Sequence, residues 1–453
     1  MQPLPKEFEE QMKRLLGEAG FFAYLDALNQ PYTRALRVNL LLRPDGTPPC
    51  PIEGLGAPVP WAKGAYFVEG DARPGLSPLH EGGLFYMQEP SALTAVTALD
   101  PQPGERVLDL CAAPGGKSTQ IAALMAGRGL LCCNEPIPSR AQILSRNIER
   151  MGVRNAVVLS AMPDALAPRF PAFFDRILVD APCSGEGMFR RQPEARGEWD
   201  ADAPRRCADR QMEILAQAAK MLRPGGTMVY STCTFNDTEN EGVLKRFLAL
   251  HPEFSLVPFA LPGLPEAKDG YLHLYPHEMR GEGHFVSRLK KADGADEADA
   301  PVQGAPQRKA PARAAAKGKA PAPIALPDVF SDAFAPERLY TAGDALWMLP
   351  EGISIERLSG LRVLRTGLLL AHAEGKRSEP DHALAMALRP EEAARTASLT
   401  QTQALAYQAG ETLSLGDLPG GYTLLCCEGV SLGWGKQAGG LMKNHYPKGL
   451  RQR

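Results

Sequence analysis

The sequence has no surplus charge of either sign: 50 lysines and arginines against 52 acids leave a formal net charge of −2 over 453 residues. Such a chain is drawn as a whole to neither nucleic acid nor membrane, so any polyanion site must come from local asymmetry. No uninterrupted apolar run reaches the ~18 residues of a membrane span. Residues 1–22 carry Lys6, Glu7, Glu9, Glu10, Lys13 and Arg14 where a signal peptide needs an apolar stretch. Together these absences predict a cytoplasmic protein without a membrane partner. There is no Cys-x-x-Cys, and nine cysteines cannot all pair, which disfavours disulfides and structural zinc. The eight histidines show no ligand spacing, so no metal is expected.

What is present is the composition of a folded chain, 44% hydrophobic and 23% charged, long enough for about three domains. An amphipathic pattern (Phe8, Met12, Leu15, Leu16) opens it, followed by a short strand, Ala35–Leu40. From about Glu105, compact apolar runs alternate with helical patterns. The runs are Arg106–Leu110, Gly129–Cys133, Ala156–Leu159, Arg176–Val179 and Thr227–Tyr230; the helices are Ser118–Met125, Ser139–Met151 and Arg205–Leu222. Runs with few polar interruptions suit strands buried on both faces, and their alternation with helices predicts a doubly wound α/β sheet. Residues 292–327 hold almost no large apolar side chain and read as a flexible linker; its basic half, Arg308, Lys309, Arg313, Lys317 and Lys319, reads as a solvated tether that could touch RNA. Beyond it, strand-like runs return at Leu361–Leu364, Leu368–Ala371 and Tyr422–Cys426. The last 25 residues contain Lys436, Lys443, Lys448, Arg451 and Arg453 and no acid, with Trp434, His445 and Tyr446 among them. Cations interleaved with aromatics suit phosphate contact and base stacking; a frayed basic tail is the plainer alternative.

Chemistry concentrates at the strand ends. Cys111, Ala112, Ala113, Pro114, Gly115, Gly116 and Lys117 lie between the first buried strand and a helix, where a doubly wound fold binds its ligand. Small residues let the ligand approach the backbone, and the helix start offers free N–H groups. Gly116-Lys117-Ser118 invites a phosphate-loop reading, but the first glycine that GxxxxGK[ST] requires falls on Cys111, so a nucleotide triphosphatase is disfavoured. G-x-G-x-x-G is absent, which disfavours a dinucleotide. Glu135, 20 residues past Gly115 at the end of the next strand, is placed to bond a ribose hydroxyl pair. The fourth strand ends Asp180-Ala181-Pro182-Cys183-Ser184-Gly185, and the fifth ends Ser231-Thr232-Cys233-Thr234. Asn236 and Thr238, each three residues before a glutamate, predict a helix start whose N–H groups favour a thiolate at Cys233. A thiolate beside a nucleoside cofactor fits methylation of a pyrimidine at carbon 5, a carbon too weakly nucleophilic until a thiolate has added to carbon 6. Asp180 is placed to bond the amino/N3 edge of a cytosine.

These segments resemble the Sun/Fmu-type RNA cytosine-5 methyltransferases. The resemblance rests on residues 109–119, on Asp180–Gly185 and Ser231–Thr234, on Gln88-Glu89-Pro90-Ser91, and on Arg280-Gly281-Glu282-Gly283-His284-Phe285, and it spans about 30 to 290. It implies a Rossmann-like class I methyltransferase sheet with S-adenosyl-L-methionine as cofactor. It makes Cys233 the nucleophile and gives Cys183 a part in breaking down the adduct, with Asp180 and Lys117 catalytic beside them. Cofactor contacts carry over to Cys111 through Lys117, to Glu135, to Asp180 and to Asp164, an acid after the third strand in Ser160-Ala161-Met162-Pro163-Asp164. Gly433-Trp434-Gly435-Lys436 and Lys443–Gly449 resemble the PUA-like ending of the bacterial 16S rRNA methyltransferase F group, and Arg34–Asn39 resembles the family's N-terminal RNA-contacting module. The implied organisation is an α+β RNA-contacting module (1–70), the methyltransferase domain (71–291), the linker (292–327) and a β-rich C-terminal RNA-binding region (328–453). A monomer is expected, with 16S rRNA of the small ribosomal subunit as substrate. tRNA is the alternative substrate, and a catalytically silent RNA-binding protein is the rival of another class. His284 and His445 are expected to be structural or RNA-facing.

Overall fold

Alternating buried runs and helices build a nine-stranded sheet at the centre of the computed structural model, which describes residues 3–294, 324, 329, 336–374 and 377–451. Most of the expected linker, with its five cations, lies outside the described residues.

The N-terminal helix Lys6–Leu28, kinked at Gly17, precedes a four-stranded sheet of β1 (Arg34–Val38), β2 (Leu55–Pro58), β3 (Ala65–Val68) and β4 (Phe85–Gln88) in the order β2-β3-β1-β4. β4 lies past residue 70, so this sheet runs beyond the boundary expected there. The central sheet follows: β5 (Arg106–Asp109), β6 (Leu130–Asn134), β7 (Ala156–Leu159), β8 (Phe174–Asp180), β9 (Leu222–Thr232), β10 (Phe254–Leu256), β11 (Tyr271–Leu274) and β12 (His284–Lys291). Strands β9-β8-β5-β6-β7 are parallel, and β12 joins β9 antiparallel, with β10 and β11 pairing on β12. The chain turns one way after β5 and the other way into β8, so the ligand crevice opens beyond the ends of these two strands.

Every residue of β6 and β7 is buried. Successive side chains take opposite faces of a strand, which explains the adjacent cysteines. Cys133 packs with Val107 and Leu178 in the core on one face, and Cys132 packs with Leu108 and Ile177 in the core on the other.

The C-terminal region contributes β13 (Leu339–Ala342), β14 (Ala345–Met348), β15 (Val363–Arg365), β16 (Leu368–Glu374) and β17 (Arg377–Pro380). A last sheet holds β18 (Thr396–Ser398), β19 (Gly421–Cys427), β20 (Val430–Ala438) and β21 (Leu441–Asn444). β15 leaves its neighbours and pairs antiparallel with β7, becoming the ninth strand of the central sheet. Ion pairs Arg365–Glu149 and Arg154–Glu392 fix that junction. No helix among the described residues is long and apolar enough to cross a membrane.

Candidate active site at the strand ends

The loop after β5 is held close to its neighbours. The N–H of Ala112 donates to the carbonyl of Asn134 at 2.8 Å, and Asn147 donates to the carbonyl of Pro114 at 2.9 Å. Gly115 has φ +114°, and a Cβ there would come within 3.2 Å of Leu144 and 3.3 Å of Asn147. A Cβ on Gly116 would press on Tyr86 at 3.2 Å and Gln88 at 3.3 Å. A side chain at Gly116 would therefore crowd a cavity of about 370 Å³ lined by Cys111–Pro114, Gly116, Lys117, Asp180, Cys233 and His284. Gln88 lines it too, with its Oε1 buried and lacking a hydrogen-bond partner.

Asp180 at the end of β8 accepts from Lys117 Nζ at 2.8 Å and from Ser231 Oγ at 2.8 Å; His284 Nε2 lies 3.5 Å from its Oδ1. Burial alone would raise its pKa, but Lys117 and His284 outweigh burial and hold the carboxyl well below the ordinary range. Asp180 likewise keeps Lys117 cationic, its pKa raised against the effect of burial. Asp109, one strand away, is fully buried. Its Oδ2 accepts from Ser118 Oγ at 2.6 Å and its Oδ1 has no partner. Burial pushes it up to about 7, with Ser118 opposing and Asp180 adding to the rise.

Cys183 and Cys233 meet with their sulfurs 3.2 Å apart. Cys233 lines the cavity and Cys183 does not. The contact with Cys233, then burial, raise the pKa of Cys183 well above that of a free thiol. The helix after Cys233 begins at Glu241 with Asn240 as its N-cap, eight residues along, so its N–H groups are not what surrounds the sulfur. The segment between is a turn in which Asn236 Oδ1 accepts from the N–H of Glu239 at 2.8 Å.

Two buried glutamates that sequence reasoning missed bind these loops reciprocally. Glu186, on the Cys183 loop, accepts from the N–H groups of Phe235 and Asn236 at 2.8 and 3.1 Å. Glu239, beyond Cys233, accepts from the N–H and hydroxyl of Ser184 and from Gln211. Each loop thus carries the carboxylate that ties down the other. An acid between two glycines, Gly185-Glu186-Gly187, was the available signal. The N-terminal helix covers this pair of loops, with Phe8 4.9 Å from Phe189 and Tyr24 5.8 Å from Phe235 between ring centroids.

The remaining expected residues divide. Glu135 is buried at the end of β6, where it accepts from the N–H of Ile137 at 3.0 Å and lies 3.6 Å from Arg140. Asp164 is exposed in the first turn of the short helix Pro163–Leu166 and does not line the cavity. Ile137 and Met162, 49% and 61% exposed, flank these acids in sequence as apolar surface. In the Arg34–Asn39 segment, Arg37 is buried and donates to Thr119 at 2.9 Å, so it braces the helix behind the glycine loop. Trp434 and Tyr446, expected as stacking surfaces, are buried; Trp434 Nε1 donates to the carbonyl of Asp381 at 2.8 Å. The sequence pattern could not separate a ring that packs inward from one that faces a ligand.

Comparison with known proteins adds four family matches. The family described as 16S rRNA methyltransferase RsmB/F covers residues 96–290, and the N-terminal domain of 16S rRNA methyltransferase RsmF covers 4–90. The RsmF rRNA methyltransferase first C-terminal domain covers 327–388, and the methyltransferase RsmF PUA domain covers 394–452. Ribosomal RNA small subunit methyltransferase F of Erwinia tasmaniensis is 34% identical over 98% of this chain and 96% of its own length. Its namesake from Enterobacter sp. is 35% identical over 98% and 95%. Among solved structures, a methyltransferase homologue from Pyrococcus horikoshii is 30% identical with a TM-score of 0.54, covering 63% of this chain and 95% of that one.

Proposed function

The chain belongs to the 16S rRNA methyltransferase RsmB/F family, an S-adenosylmethionine-dependent RNA methyltransferase, and from that premise we propose that it methylates carbon 5 of a cytosine in 16S rRNA of the small ribosomal subunit through a covalent adduct on Cys233. The observation that carries this reading is the order of the two thiols: Cys233 faces the cavity beside Lys117 and Asp180, and Cys183 stands behind it with a raised pKa.

The donor set suits S-adenosylmethionine. Three carboxylates, Asp109, Glu135 and Asp180, surround a loop of small residues whose glycines leave room against the backbone, and a cationic cofactor with ribose hydroxyls needs both. Cys111 through Lys117 would cradle it and Glu135 would take the ribose hydroxyls, while Asp164, exposed and outside the lining of the cavity, is left out of the set. Bound there, S-adenosylmethionine supplies the methyl group.

The protein's own groups do the rest. Lys117 lies within electrostatic reach of Cys233 and places a cation beside the attacking sulfur. The Cys233 sulfur bonds to carbon 6 of the cytosine, and the displaced π electrons are taken up along carbon 5, carbon 4 and N3, which takes a proton from water and returns it when the ring double bond re-forms. Asp180, kept ionised, accepts from the amino/N3 edge and stabilises the adduct. Carbon 5 then bonds to the methyl carbon as that carbon leaves sulfur. A base removes the carbon 5 proton, the electron pair re-forms the ring double bond, and the carbon 6–sulfur bond breaks, the step Cys183 assists.

Tritiated-methyl transfer to 30S subunits, free 16S rRNA and bulk tRNA tests the reading, with wild type, Cys233→Ala and Cys183→Ala in parallel and denaturing gels for trapped adducts. The expected result is label at cytosine-5 of rRNA, lost in Cys233→Ala, with adduct accumulating in Cys183→Ala. Label confined to tRNA overturns the substrate. Label that survives Cys233→Ala overturns the mechanism.

A further inference from the structure

A second cavity, of about 390 Å³, adjoins the first, a volume in the range of small-molecule sites. Its walls come from two parts of the chain: Trp61 and Phe67 from the N-terminal module, and Leu264, Tyr275 and Arg280 from the segments around β11. The segment 279–284 divides the two cavities. Met279 and Arg280 line the second, and Glu282, Gly283 and His284 line the first. From Arg280 to His284 the backbone reaches at most about 14 Å.

The walls are flat. The Arg280 guanidinium sits 3.9 Å from the centroid of the Phe67 ring, held at its edge by Glu69 at 2.9 Å, and the side chain stays 51% exposed. Tyr275 and His273 are stacked with ring planes 3° apart and centroids at 5.7 Å. Trp61 Nε1 is satisfied by the carbonyl of Pro90 at 2.8 Å, so its ring serves as apolar wall. His273 Nε2 is taken by Glu241 at 2.6 Å, and its Nδ1 has no hydrogen-bond partner.

We propose that this cavity receives an unstacked base of the RNA strand, from a nucleotide next to the methylated cytosine, and so reads part of the target sequence. The proposal rests on the reading above that the substrate is RNA. Aromatic faces and a guanidinium plane are the surfaces on which proteins stack splayed single-stranded bases. Glu69 neutralises Arg280, so the charge at the cavity suits an uncharged ring better than a phosphate. A cytosine drawn into the catalytic cavity brings its neighbours towards the second, because one short segment, 279–284, contributes to the lining of both.

Leu264→Trp, which fills the cavity without changing charge, and Arg280→Ala, which removes the guanidinium plane, test the proposal. Methyl-transfer kinetics on 30S subunits would be joined by photo-crosslinking of 4-thiouridine-substituted rRNA to the full chain. Both variants should raise KM for the RNA about tenfold, as loss of one stacked base predicts, with S-adenosylmethionine affinity by calorimetry within twofold of wild type. Crosslinks should join residues 61–67 or 273–280 to a nucleotide adjoining the modified cytosine. If wild type methylates rRNA and both variants keep its KM, the proposal is overturned. A ribosomal protein crosslinked there in place of RNA also overturns it. If wild type labels no RNA, the crosslink alone decides: RNA in this cavity retires the methylation reading and keeps the base pocket, and its absence retires both.

Discussion

The tips of β5 and β8 lie side by side, and each ends in an aspartate. Asp109 is fully buried with one hydroxyl for company, and its pKa rises to about 7. Asp180 is ringed by Lys117, Ser231 and His284 and stays ionised far into acid. The residue type is the same and the strands are neighbours, so the difference lies in what the next segments bring. The glycine loop sends Ser118 towards one carboxylate and Lys117, one residue earlier, towards the other. Environments that drive two like groups apart mark the division of roles in a site: in the proposed reaction Asp180 carries charge beside a reacting base, and Asp109 anchors the loop through Ser118.

Removing Lys117 should collapse that contrast. Lys117→Met strips Asp180 of its cation, and kcat/KM should fall about a thousandfold, as breaking a buried pair implies. The acid limb of the pH–rate profile should move up into the usual carboxylate range; an unmoved limb would mean that Lys117 does not set the charge of Asp180. The opposite manipulation is Asp109→Asn. Asp109's pKa is raised on folding from the usual 3.8 to about 7, so its contribution is full below pH 4 and is lost as pH rises through 7. Wild type should therefore lose stability across that window by roughly 4 kcal/mol, and Asp109→Asn should flatten the loss. Urea unfolding at pH 5 and pH 8 reads this, and equal slopes for both proteins would refute it. The smallest effect belongs to Ser231→Ala, which removes one hydrogen bond from Asp180 and leaves Lys117. A bond to a charged group is worth about 1.5–3 kcal/mol, so kcat should drop roughly ten- to a hundredfold, with calorimetry showing S-adenosylmethionine affinity within twofold.

The strands that carry these aspartates were readable in the sequence because burial on both faces leaves a compact apolar run: Ala156–Leu159 is β7 residue for residue, and Arg106–Leu110 overshoots β5 by one. The glycine loop was readable because only small residues fit where a Cβ would strike Leu144 and Tyr86. The reciprocal glutamates were harder to read: the glycines on either side of Glu186 were a signal, but a buried carboxylate such as Glu239 looks, in one dimension, like a solvated one. The same blindness made Trp434 and Tyr446 look like stacking surfaces, although both are core. The partner of β15 escaped as well. Leu361–Leu364 reads as a strand, but its partner is chosen by tertiary contact with β7 and by the Arg365–Glu149 pair.

That pairing gives the chain a timetable. Val363 meets Leu159, about 200 positions earlier, so during synthesis β7 emerges long before the strand that covers it. At 5–20 residues per second the interval is roughly 10–40 s, and throughout it a fully apolar strand stands with an open backbone edge, a template for pairing with another chain. Nascent chains released before residue 365 should accordingly be the species that aggregate or call on chaperones, and those released after it should not.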